Sequence, residues 1–192
     1  MGADLFDSNI ASMTAALVMA AAIDGQTLGI SSMMVIIYSA LGLLASIIGI
    51  YTAKIGEHGS PTKALNNSTY VTTGIFLVLT AVATLVFKGF EWRVWGASTV
   101  GLFVGVIIGL ATNYFTDDNA PIVKRVAHAS KTGPAFTILS GVSYGFMSVL
   151  PAMVGIAVSA MAAYKLCDPL GPGYAMYGIS MAAVGMLSIV GM

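Results

Sequence analysis

From Ser31 to Ala53 the chain reads SSMMVIIYSALGLLASIIGIYTA, without one charged residue. As a helix rising about 1.5 Å per residue, that run is roughly 34 Å long. A bilayer's hydrocarbon core is about 30 Å thick, so the run can cross it. Other apolar segments repeat the pattern: about Met1 to Ile23, Thr69 to Phe87, Val94 to Ala111, Ala135 to Tyr164, and from Tyr174 onward. The chain is 57 % hydrophobic and only 8 % charged, where a soluble domain carries about 25 % charge. Lipid leaves no partner for open strand edges, so such segments must be helices. The expected fold is therefore all-α, a polytopic bundle of about six transmembrane helices forming one membrane domain over residues 1–192.

The connections are short or polar. Asp24-Gly25 opens a turn, and KLCDPLGPG breaks the chain with two prolines and two glycines. The segment from Val94 carries Gly101, Gly105 and Gly109 at four-residue spacing, a ridge suited to close helix packing. Gly42, Ser46 and Gly49 offer the same opportunity on the segment from Ser31. Trp92 and Trp95, flanked by Lys88, Glu91 and Arg93, look like interfacial anchors. The segment from Ala135 exceeds a minimal span and contains Pro151, so a kink or tilt is expected. Between Thr112 and Gly133, PIVKRVAHASKTG reads as a short amphipathic helix at the membrane surface.

Charge sets the orientation. Lys54, Lys63, Lys124, Arg125 and Lys131 fall in loops on one side, and Lys88, Arg93 and Lys165 on the other. The positive-inside rule then places both termini in the cytoplasm. Net charge is zero, which gives no reason to expect nucleic acid. Cys167 is the only cysteine, so no intrachain disulfide forms. The N-terminus lacks the basic stretch of a secretory signal.

The chemistry-bearing stretch is MGADLFDS. Asp4 and Asp7 are three residues apart and Ser8 is four from Asp4, so all three share one helical face. The clean apolar run, Ile10 to Ile23, spans only about 21 Å, too short for a bilayer. A crossing must therefore carry the acids toward the membrane or borrow length from before Met1. Ionisable groups at membrane depth point to function. The alternative is two solvated acids favoured by the dipole at a helix N-terminus. No phosphate-binding glycine loop, nucleophile elbow or zinc motif occurs. These residues leave two readings open: a piece of a transporter, or a non-catalytic membrane subunit that packs helices in a larger complex.

Three patches resemble the membrane-integral pyrophosphatases. MGADLFDS is similar to the family's GMGADLFES. TNYFTDDNAPIVKRVAHASKTGPA resembles its T-E-Y-Y-T…P…VA-x-A-S-x-T-G loop. YGISMAAVGMLSIVGM resembles its YGIAxAAxGMLS helix. They occur in family order. Asn113 stands where the family often has Glu, and Phe136 where it usually has a small polar residue. The resemblance implies an all-helical bundle of roughly sixteen spans per subunit, working as a homodimer. It implies hydrolysis of pyrophosphate with Mg2+, coupled to transport of H+ or Na+, with K+ required by some members. It places this chain in the cell membrane, as the middle of a pump whose remaining helices are partners. The hydrolytic acids and lysines would lie outside it, and both ends of the chain look cut. The family's gate aspartate falls on Asp4, its gate glutamate on Asp7 and the adjacent serine on Ser8. Asp7 is one methylene shorter than that glutamate, so its carboxylate is displaced.

Overall fold

A computed structural model describes residues 2–25, 29–52 and 61–188. Ala53, Lys54, His58 and residues 189–192 lie outside the described residues, so the end expected for the sixth segment does too. All regular structure among the described residues is helical. The helices are α1 Gly2–Ile23, α2 Ile30–Thr52, α3 Pro61–Val86, α4 Trp92–Thr116, α5 Pro121–Ala129, α6 Pro134–Cys167 and α7 Tyr174–Leu187. Single 3-10 turns at Ser130–Thr132 and Asp168–Leu170 follow α5 and α6.

The helices α1, α2, α3, α4 and α6 are long and apolar enough to cross a membrane. The helix α7 is apolar but has 14 described residues. The chain is an integral membrane protein. Several helices outrun the apolar segments that announce them. The helix α1 continues through Asp4 and Asp7, so its 22 residues reach about 33 Å. The helix α3 begins at Pro61, whose missing N–H suits a first turn, and takes in the polar KALNNS stretch. The helix α6 is the longest, with 34 residues, and runs through Pro151.

The chain forms two compact units. The first comprises Met1–Gly105 with Ser159–Met192, and the second Val106–Val158. In the first unit α1 packs on α7 and α2, and α2 packs on α3. Its core gathers Ala16, Ala20, Tyr38, Val94, Tyr177 and Met181. The end of α6 presents Ser159, Ala163 and Cys167, each four residues on, to this core. Several hydroxyls inside are paired within their own helix. Thr72, Thr80 and Thr84 on α3 each donate to the carbonyl four residues back, which satisfies the hydroxyls without a partner helix. The Tyr38 hydroxyl lies 2.6 Å from Thr84 Oγ1 and ties α2 to α3.

The small-residue stripes separate in the structure. Gly42, Ser46 and Gly49 are all buried on α2, as expected. Ser46 Oγ donates to the Ser188 carbonyl at 3.0 Å, and Ser68 Oγ donates to the Gly49 carbonyl at 2.6 Å. Gly101 lies so close to α7 that a Cβ there would strike the Ala182 carbonyl. Gly185 on α7 meets the Ser98 backbone in the same way. Around Gly109, by contrast, an added Cβ meets no described atom within 4 Å. Among the described residues the expected ridge is thus a contact at Gly101 and Gly105. The tryptophans also divide. Trp92 is exposed, whereas Trp95 is half-buried and donates Nε1 to Thr80 Oγ1 at 3.2 Å. Trp95 is therefore a packing residue between α4 and α3 rather than a free anchor.

In the second unit, α5 forms the expected amphipathic helix. Ile122, Val123, Val126 and Ala129 are half-buried, and Lys124, Arg125 and His128 are exposed.

Candidate functional site

Asp4, Asp7 and Ser8 sit in the opening turns of α1, and all three side chains are exposed. The helix turns about 100° per residue, which sets the three on one stripe. Met13, Ala16, Leu17, Ala20 and Ile23 form the stripe of α1 that enters the core. At that periodicity the two stripes are centred roughly 170° apart. The acidic face therefore points away from the packing of the first unit. Nearby, Ser12 Oγ donates to the Asn9 carbonyl at 2.9 Å, holding the next turn. Two carboxylates and a hydroxyl supply oxygen donors, the ligands a hard cation prefers.

The described residues bring no group of three or more His, Cys, Asp or Glu side chains together. They do not fit the multi-carboxylate Mg2+ centre that phosphoryl transfer uses.

The opposite end of α1 carries a polar cluster that was read in the sequence as a simple turn. The Asp24 carboxylate accepts from the Ser31 N–H at 3.4 Å, the Ser32 N–H at 3.0 Å and the Ser32 hydroxyl at 3.2 Å. These are orphan donors of the first turn of α2, so Asp24 caps that helix from across the turn. Burial raises the Asp24 pKa, but the hydrogen bonds from Ser32 and Ser31 outweigh it and hold the carboxyl below its ordinary 3.8. The Tyr177 hydroxyl donates to the Ser31 carbonyl at 2.9 Å, bringing α7 to the same point. Asp24, Ser31, Gly89, Glu91, Tyr174 and Tyr177 border a cavity of about 340 Å³. The adjacent pair Ser31-Ser32, opening an apolar run just after an acid, was the available signal. Asp24 follows α1 directly and lies twenty positions after Asp4, or about 30 Å along the helix, the thickness of a bilayer core.

Residues 1–192 match the family described as inorganic H+ pyrophosphatase. The chain belongs to that family. A protein of Clostridium tetani, whose name describes a K(+)-stimulated pyrophosphate-energized sodium pump, is 37 % identical over 196 residues. That alignment takes in 100 % of this chain and 28 % of the relative. The K(+)-insensitive pyrophosphate-energized proton pump 2 of Moorella thermoacetica is 34 % identical, over 97 % of this chain and 28 % of that protein. The K(+)-insensitive pyrophosphate-energized proton pump of Methanosarcina mazei is 32 % identical, over 100 % of this chain and 28 % of that protein. The chain thus spans a little over a quarter of the length of these relatives.

Proposed function

We propose that residues 1–192 work as one membrane domain inside a pyrophosphate-energized ion pump, and that Asp4, Asp7 and Ser8 form its ion-translocation gate. In this reading the pump hydrolyses pyrophosphate with Mg2+, bound by residues outside this chain, and moves H+ or Na+. Some relatives carry K(+)-stimulated in their names, so K+ is a candidate activator. The complete pump would be a homodimer, with the remaining helices as partners of these.

One observation carries the assignment of the gate. The Asp4–Asp7–Ser8 stripe lies on the face of α1 opposite the core-facing stripe. Exposed acids facing lipid would be costly, so in an assembled membrane domain that face needs protein or water beside it. Two carboxylates in such a place call for a cation between them or a basic partner. A transported ion meets that need transiently, and a partner residue from another helix meets it between cycles. Asp4 binds the ion or proton, Asp7 adjusts its affinity, and Ser8 adds a neutral oxygen. The shorter Asp7 leaves more room beside Asp4 than a glutamate would.

Vesicles reconstituted with the complete pump test this. Asp4→Asn is expected to abolish the ion gradient built on adding pyrophosphate, whether or not some hydrolysis survives. Asp7→Ala is expected to shift the dependence on Na+ or pH more than the KM for pyrophosphate. A full gradient from Asp4→Asn would reduce Asp4 to a helix-terminus acid and end the proposal.

A further inference from the structure

The second unit contains a groove that the pump reading leaves unused. The apolar side of α5 faces it through Ile122, Val123 and Val126. Its floor is one face of α6, running from Thr137 to Ser148. Eleven helical rises make that floor about 16 Å long. The enclosed volume is about 450 Å³, within the range of small-molecule sites, roughly 300–1,000 Å³. Gly141 and Gly145 lie in the floor, and a Cβ added at either meets no described atom within 4 Å. Among the described residues the space above them is open.

The outer side of α5 is basic. Lys124, Arg125, His128 and, one turn on, Lys131 are exposed. Asp117 stands near enough to Lys124 to offset part of its charge. Arg125 and Lys131 continue the positive strip toward the far end. Because α5 joins the end of α4 to the start of α6, and both are span candidates, this strip stands at a membrane face. An apolar slot along a spanning helix, roofed by a basic helix at the surface, matches one chemistry. It fits a molecule with a long apolar chain and an anionic phosphate at its end.

We propose that the groove between α5 and α6 docks an anionic phospholipid, with an acyl chain over Gly141 and Gly145 and the headgroup phosphate against Lys124, Arg125 and Lys131. The charge complementarity selects the headgroup, and the open floor accepts the chain. The groove's lining includes none of the gate residues.

The test uses the complete pump in phosphatidylcholine vesicles doped with phosphatidylglycerol, extracted and weighed by native mass spectrometry. Wild type is expected to retain phosphatidylglycerol well above its share of the bilayer. Each basic residue near a membrane surface is worth about fivefold in anionic-lipid binding, so Lys124→Gln, Arg125→Gln and Lys131→Gln together should lower retention about a hundredfold. Gly141→Leu fills the floor and should lower retention with every cation in place. Lys131→Gln alone, expected to lose about fivefold, serves should the triple variant fail to fold. Unchanged retention in Lys131→Gln or Gly141→Leu would overturn the proposal. So would a Gly141→Leu pump that loses assembly yet keeps its phosphatidylglycerol, the result expected if another transmembrane helix fills the groove.

Discussion

A methyl group placed successively at 101, 105 and 109 probes the contact between α4 and α7 through a graded series. At Gly101 the new Cβ would overlap the Ala182 carbonyl and lie 2.8 Å from the Ala182 Cα. Ordinary carbon contacts begin near 3.5 Å, so α4 and α7 must separate by about 0.7 Å or more. The obstacle is backbone, which cannot swing aside as a side chain does. Overpacking of this kind costs about 1–3 kcal/mol, and a rigid obstacle favours the upper end. Against it stands the helix propensity of alanine over glycine, about 1 kcal/mol. The net expectation for Gly101→Ala is a loss of about 2 kcal/mol. At Gly105 the Met186 Cγ and the Met186 carbonyl oxygen both lie 3.1 Å from the new Cβ. The side chain can adapt but the carbonyl cannot, and the overlap is smaller than at Gly101, so Gly105→Ala should lose about 1 kcal/mol or less. At Gly109 nothing described lies within 4 Å, and alanine should gain up to about 1 kcal/mol. Thermal unfolding of the three variants of the complete pump in one detergent checks the order. Equal melting of Gly101→Ala and Gly109→Ala would refute the argument that α4 and α7 meet at Gly101.

Asp24→Ala should lower stability by about 1 kcal/mol at neutral pH, the usual value of an N-cap. Because the folded carboxyl titrates below 3.8, its stabilisation is present above that pH and lost as the pH falls through the folded value. The gap between the melting curves of wild type and Asp24→Ala should therefore narrow as the pH falls below 3.8, and a constant gap would contradict the cap. Ser98 Oγ is buried with no hydrogen-bond partner among the described residues, so Ser98→Ala should stabilise by about 1 kcal/mol; a clear loss in thermal melting would reveal a partner. Residues 1–192 purified alone should release no phosphate from pyrophosphate with Mg2+, since the described residues gather no multi-carboxylate centre. Measurable Mg2+-dependent release would overturn that.

What the sequence determined by itself follows from short-range physics. A helix in lipid satisfies its backbone internally, so uncharged runs such as Ser31 to Ala53 announce spans without knowledge of their neighbours. The amphipathic α5 was legible for the same reason, as its two faces are set by a local period. The shared face of Asp4, Asp7 and Ser8 was legible too, because it needs only the helical repeat. Tertiary structure alone decided which face met which neighbour. Gly101, Gly105 and Gly109 are equivalent as a motif, yet among the described residues it is Gly101 and Gly105 that meet α7, because contact depends on where a crossing helix lies. Trp95 looked like Trp92 until α3 supplied Thr80, 15 residues away in sequence. The capping role of Asp24 required the start of α2 to fold back onto it, and Tyr177, 146 residues beyond Ser31, to close the cluster. Nor could a sequence show that the acidic stripe of α1 turns away from its core-facing side. That follows from α2 and α7 packing on the other face, which hydrophobic pattern permits but long-range contact selects.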